Sequence, residues 1–114
     1  YGIVSPDHKI YNNNNKIKNQ KNIMYTITKS SLLGLTKHLA VIFAKDKIRV
    51  NCTCFGGVEN KQNKKFLRKY SENTPMNRLA KKNEFNGLIN FLISDASSYI
   101  TGSNIVVDGG LTII

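Results

Sequence analysis

Cysteine is scarce in this chain, acidic residues are few, and no apolar run is long. The two cysteines, Cys52 and Cys54, form Cys-x-Cys inside an apolar stretch. On a strand their side chains point to one face. No further Cys and no His-x3-His spacing accompany them, which argues against a zinc site, and no metal is expected. Two buried free thiols are the expectation, and they fit a reducing compartment and a cytoplasmic location. No segment reaches the ~18 consecutive apolar residues of a membrane span, so no membrane partner is expected. No signal segment is visible. The sequence starts at Tyr1 and not at Met, so it is expected to be processed or a piece of something longer.

Seven acidic residues face seventeen basic ones, for a net charge of +10. Such a balance ordinarily points to nucleic acid or an anionic surface. The placement points elsewhere. Lys9, Lys16, Lys18, Lys21, Lys45, Lys47, Lys81 and Lys82 are scattered over loops and helix surfaces. The richest basic stretch, Lys61 to Lys69, contains Phe66 and Leu67 at packing spacing. No nucleic-acid reader motif accompanies the charge. With fifteen Asn as well, the surface reads as solvated and compositionally biased, with no nucleic-acid partner. Hydrophobic residues make up 40% of the 114, which suits one small globular domain.

Tyr1 to Val4 reads as the exit of a strand, and Ser5-Pro6-Asp7 as a turn. Residues 8–22 are polar, with Asn12 to Asn15 at their centre, and read as a long loop. Residues 24–45 form the strongest helix pattern. Their second half is apolar nearly all round, which predicts burial between other elements or subunits. Gly34 in its middle predicts a close helix contact. Residues 48–54 read as a strand, and Phe55-Gly56-Gly57 as a loop needing unusual backbone freedom. A short amphipathic helix is predicted over 62–71, with Phe66, Leu67 and Tyr70 on one face. Asn83 is placed to cap a further helix through Phe85, Leu88, Ile89 and Leu92. Residues 104–108 read as a strand closed by Gly109-Gly110. Short strands alternating with helices predict a parallel α/β sheet. Two strands cannot make such a sheet alone, so their partners are expected upstream. There is no internal repeat and no second domain.

Tyr25 and Lys29 stand four apart at the start of the long helix. That spacing places the side chains on one face, about 5–6 Å apart at Cβ. A phenol beside a fixed ammonium is a candidate proton donor, because the cation favours phenolate. An ordinary Tyr beside a solvated Lys satisfies the bare spacing equally well. None of the other four tyrosines has Lys at the fourth following position. His8 and His38 lack triad partners and read as a loop and a helix-surface residue. Asp108 reads as a solvated acid at a strand end.

The order of these segments resembles the C-terminal half of a short-chain dehydrogenase/reductase. The matching pieces begin with Tyr25-Thr26-Ile27-Thr28-Lys29-Ser30, Leu33-Gly34-Leu35-Thr36-Lys37 and Ile48-Arg49-Val50-Asn51. The Gly56-Gly57 loop, Pro75-Met76-Asn77-Arg78, Ser94 to Gly102 and Ile105-Val106-Val107-Asp108-Gly109-Gly110 complete them. The resemblance covers about residues 22–112, with residues 1–22 as strand exit and loop and 23–112 as the matching core. It implies the C-terminal part of a Rossmann-like, doubly wound parallel α/β sheet. It implies that Tyr25 exchanges a proton with a carbonyl or hydroxyl while a nicotinamide of NAD or NADP passes a hydride. Lys29 would bind the nicotinamide ribose. Phe55, Gly56, Gly57 and Val58 would line the nicotinamide, with the Val58 backbone at its carboxamide, and Asn60 would lie near the pyrophosphate. Residues 61–78 would form a mobile cover, and helix 24–45 would join a homo-oligomer interface.

Several parts of that family's pattern are absent. Phe55 stands where Pro is usual. The Gly-rich phosphate turn, the residue that selects NAD or NADP, and the structural Asn have no counterpart here. Tyr1-Gly2 matches the tail of a Ser-Ser-x-Tyr-Gly pattern, which puts the catalytic Ser just upstream; Ser5 sits in a turn and is a poor substitute. The long 5–22 loop is similar to that of members acting on sugars, so a sugar-like small molecule is one implied substrate. The leading expectation is a fragment of an NAD(P)-dependent oxidoreductase, inactive alone. The alternative is a non-catalytic, truncated or dimerising α/β piece.

Overall fold

The computed structural model describes residues 1–11 and 20–114. The Asn12 to Asn15 run, Lys16 and Lys18 lie outside the described residues. The elements that carry the fold are α1 (Ile23–Phe43), β1 (Cys52–Phe55), α2 (Lys64–Glu72), α3 (Asn86–Ile93) and β2 (Asn104–Val107). The two strands are parallel and in register from Cys52↔Asn104 to Phe55↔Val107, with α2 and α3 in the crossover between them. This is the expected α/β pattern, since parallel neighbours need a long connection.

α1 starts where Asn22 accepts the Met24 N–H on its side chain at 2.9 Å. It ends earlier than expected, in a 3-10 turn over Ala44–Asp46 that closes with Lys47 at φ 59°. Only Thr36 and Ala40, four apart, are buried, and Ala40 approaches the position a Gly102 side chain would take. The expected all-round burial is therefore absent within this chain. Leu35 is 49% exposed and Val41 79%, and nothing lies within 4 Å of where a Gly34 side chain would be.

The strand expected over 48–54 is shorter at its start. Val50 N–H donates to the Thr101 hydroxyl at 3.1 Å. The Arg49 guanidinium donates to the Leu92, Ser94 and Ile100 carbonyls. Asn51 holds Ile100 and Ser103. These side chains tie the approach to β1 to the turn after α3, where Ser97 is only 1% exposed and donates to the Leu92 and Ser94 carbonyls. One main-chain bond, from the Gly102 N–H to the Val50 carbonyl at 2.7 Å, precedes Cys52, where the regular ladder begins.

α2 runs two residues later than its expected start. Asn63 caps it by accepting the Phe66 N–H at 2.8 Å. Its apolar face meets the core, in which Ile10, Tyr70 and Leu79 are buried and Phe66, Leu67, Tyr11 and Leu111 pack around them. Ile10 reaches this core from a 3-10 turn over His8–Ile10, so the loop expected over 8–22 opens with an ordered, buried residue. Asn83 does not cap α3. The cap position is Phe85, because Glu84 is already tied to Arg78 at 2.6 and 2.7 Å and to the Lys81 N–H at 2.6 Å.

The radius of gyration is 16.4 Å, against ~13 Å for a compact domain of about 100 residues.

Candidate active site

β1 delivers the site loop, α1 the facing wall. Between them lies a cavity of about 370 Å³ that brings Tyr25, Lys29, Phe55, Gly56 and Gly57 together. Val58 and Asn60 do not line it. Tyr25 and Lys29 share a helix face as expected, with the Lys29 ammonium 5.7 Å from the Tyr25 ring centroid. Tyr25 is 41% exposed, and its hydroxyl makes no hydrogen bond among the described residues. Gly2 packs on α1 so closely that a side chain there would meet the Lys29 carbonyl oxygen at 2.8 Å. That contact seats Tyr1 on the cavity wall.

Gly56 and Gly57 are needed for close approach, not for the unusual backbone freedom the sequence suggested, since neither has positive φ. A side chain at Gly56 would meet the Asp108 Cα at 2.7 Å, and one at Gly57 the Tyr70 Cζ at 2.7 Å. Gly56 N–H extends the sheet ladder to the Val107 carbonyl at 2.9 Å, and Gly57 N–H donates to the Tyr70 hydroxyl at 2.5 Å. Positive φ falls instead on Gly109 and Gly110, at +67° and +89°, where the chain turns under Asp108.

Asp108 is not a solvated acid. It is half-buried, and its carboxylate accepts the Gly110 and Thr112 N–H groups at 2.8 Å each. Burial alone would raise its pKa, but the hydrogen bonds from Thr112 and Gly110 prevail and hold it below the ordinary value. Its role is to shape the turn after β2.

Beyond Gly57 the chain makes one further parallel bridge, Val58 to Ala80. Ala80 N–H donates to the Gly57 carbonyl and Glu59 N–H to the Ala80 carbonyl, both at 2.9 Å. In that geometry the Val58 carbonyl turns the other way, where it accepts from the Gln62 side-chain amide at 2.8 Å. The Gln62 amide oxygen accepts the Asn60 N–H at 2.6 Å. The Gln62 carboxamide is thus held by the Val58 carbonyl and the Asn60 N–H.

Residues 61–78, the expected cover, are anchored at a few points while much of the segment, Met76 included, is exposed. Tyr70 and Thr74 are buried, Met76 N–H donates to the Gly109 carbonyl at 3.1 Å, and Arg78 pairs with Glu84. Phe55, in place of Pro, lays its ring on Phe85 at 4.1 Å between centroids. Packing does here part of what a fixed φ would do.

The sequence did not single out the rest of the wall. Tyr11 donates to the Tyr1 hydroxyl at 3.0 Å. Burial, with the Tyr11 phenol beside it, pushes the Tyr1 hydroxyl well above its ordinary pKa. Burial raises Tyr70 also, against the lowering effect of the Gly57 bond. Lys21 lies 5.0 Å from the ring centroids of both Tyr11 and Tyr25. These residues converge from distant segments and have no common period. Cys52 and Cys54 line the same cavity and are half-buried, not buried as expected. Burial and the adjacent Cys52 thiol push Cys54 up. His38 is on the exposed side of α1. No helix among the described residues is long and apolar enough to cross a membrane.

A family model described as enoyl-(acyl carrier protein) reductase matches residues 10–112. The chain is 41% identical to a tropinone reductase homolog of Arabidopsis thaliana over 79% of its own length and 36% of that protein's. It is 40% identical to the oxidoreductase UcpA of Escherichia coli K12, over 78% of this chain and 38% of the relative. In structure it resembles a short chain dehydrogenase from Leptospira borgpetersenii solved with bound NAD+, at TM-score 0.86 and 35% identity, over 97% of this chain and 41% of that one. The chain therefore spans about two fifths of the length of the proteins it matches. The Rossmann-like α/β architecture expected from the sequence agrees with that likeness.

Proposed function

Because the chain belongs to the short-chain dehydrogenase/reductase family, we propose that it carries the acid/base part of an NAD(P)-dependent oxidoreductase interconverting a carbonyl and a secondary alcohol. The observation that carries this reading is the Lys29 ammonium 5.7 Å from the Tyr25 ring, in a cavity closed by the Phe55-Gly56-Gly57 loop. Tyr25 gives its hydroxyl proton to the carbonyl oxygen in reduction and takes it back in oxidation. Lys29 offsets the negative charge left on the phenol oxygen and holds the nicotinamide ribose. Phe55, Gly56 and Gly57 face the nicotinamide. The Val58 main chain takes its carboxamide after Gln62 swings aside, and Asn60 lies toward the pyrophosphate. When bound, the dinucleotide supplies or receives the hydride. The test is dinucleotide turnover by the complete protein on a panel of carbonyls. Lys29→Met is expected to raise the dinucleotide KM and lower kcat; unchanged constants would contradict its role.

A second reading concerns assembly. The bare apolar side of α1, with Leu35 and Val41 exposed and Gly34 facing open space, favours pairing of two copies through this helix. A dimer that forms without any dinucleotide affinity would support a non-catalytic, dimerising piece instead.

A further inference from the structure

The cavity that holds Tyr25 has a second ammonium for which the proton and hydride chemistry has no task. Lys21 sits one residue before the cap of α1, 5.0 Å from the Tyr25 ring and 5.0 Å from that of Tyr11. Lys29, at 5.7 Å, is the more distant of the two cations from Tyr25. Two aromatic faces orient a side chain that is otherwise flexible, and such contacts do not cancel its charge.

Among the described residues no carboxylate forms an ion pair with it; Asp7 is near enough to act on the Tyr1 hydroxyl but does not line the cavity. From His8 to Lys45 the sequence contains no Asp or Glu. The ion pairs among the described residues, Arg68–Glu72 and Arg78–Glu84, lie outside this cavity. Asp108 does line the cavity, but both its oxygens are taken by main-chain N–H groups. The first turn of α1 has no acidic residue, so the helix dipole adds to the positive potential. A partly enclosed wall also screens a charge less than open water does.

We infer that Lys21 recognises a carboxylate on the substrate, which makes the substrate class a keto acid and its hydroxy acid. The reacting end of that substrate rests on the oxidoreductase reading above; the carboxylate contact stands or falls by binding alone. In reduction the hydride from the dinucleotide adds to the carbonyl carbon and the Tyr25 proton goes to the oxygen. The carboxylate takes no part in bond making. One ammonium over the Tyr11 ring, in a wall that also carries the Tyr1 and Tyr11 hydroxyls, suits a monoanion, whereas a phosphate seeks more N–H donors than this wall offers.

Benzoylformate and its methyl ester are titrated by calorimetry into the complete protein, as wild type, Lys21→Met and Lys21→Arg. The acid is expected to bind at least about tenfold more tightly than the ester, as removal of an ion-pair partner ordinarily shows. The preference should collapse in Lys21→Met, persist in Lys21→Arg, and shrink from about 0.05 to about 0.3 M salt. Equal affinity for acid and ester in the wild type overturns the inference, as does a preference unmoved by Lys21→Met. Tighter binding of the matching phosphonate overturns the choice of carboxylate. Loss of dinucleotide affinity in Lys21→Met, with the acid-to-ester ratio intact, assigns Lys21 to the cofactor and overturns it too. Absent turnover with intact acid preference sinks the oxidoreductase reading and leaves the carboxylate site standing.

Discussion

The Tyr70 hydroxyl accepts the Gly57 N–H at 2.5 Å, and its ring fills the space a Gly57 side chain would need. This one relationship fastens α2, the body of the expected cover, to the loop that faces the proposed nicotinamide. Tyr70→Phe keeps the ring and leaves a half-buried N–H without its partner. It is expected to cost about 1–3 kcal/mol of stability. Gly57→Ala must displace the ring and is expected to cost about 1–3 kcal/mol as well. Urea unfolding of the complete protein measures both, and a change near zero in either variant would contradict the fastening.

Gln62 holds the Val58 carbonyl and the Asn60 N–H, the groups proposed to meet the cofactor end of the site. If its amide must leave for a carboxamide to enter, Gln62→Ala removes a competitor. Dinucleotide affinity should then rise about two- to tenfold, the range of one ordinary hydrogen bond. Fluorescence titration with NADH and NADPH reads this directly; weaker binding in the variant would make Gln62 a supporting residue.

Part of this cavity was legible in the sequence, for reasons that particular residues make plain. Tyr25 and Lys29 were visible because a four-residue spacing on a helix is a spatial statement. Phe66, Leu67 and Tyr70 were visible by the same periodicity. The close approach that requires Gly56 and Gly57 is not legible, because a sequence gives the residue but not its neighbour. Asp108 and Tyr70, both remote in the chain, make small residues necessary there. Lys21 and Gln62 escaped because a long side chain leaving an irregular segment has no period. Asn83 lost its capping role because Arg78 and Glu84, paired across the loop, fix the approach to α3.

That Arg78–Glu84 pair yields a pH prediction. The Arg78 hydrogen bonds, with the Lys81 N–H, bring the Glu84 pKa down to about 2. A depressed carboxylate adds stability that is present above its unfolded pKa of about 4.3 and is lost as pH falls toward the folded value. The turn before α3 should therefore loosen between about pH 4.5 and about pH 2. The pair is exposed, so the effect on global stability should be small. A Glu84 carboxyl resonance titrating near 4.3 would contradict the pairing.

The apolar side of α1 makes assembly testable. Leu35→Glu and Val41→Glu place charge where two copies are proposed to meet. Sedimentation should show the complete protein shift toward smaller species in both variants. An unchanged distribution would place the interface elsewhere.

The 114 residues by themselves contain no Gly-rich phosphate turn. Alone they are expected to turn over dinucleotide at less than about a tenth of the complete protein's rate, because the pyrophosphate cradle is missing. Comparable turnover by the isolated chain would overthrow that view of the site's division.

The most direct measurement is single-turnover carbonyl reduction by the complete protein with Tyr25 intact and as Tyr25→Phe. The variant keeps the ring and removes the proton. The account predicts a fall in the chemical step of about 10²–10⁴-fold, the usual worth of a positioned acid, with dinucleotide affinity held. A variant that reduces carbonyls at the parent rate would show that Tyr25 is not the acid, and the central claim would fail.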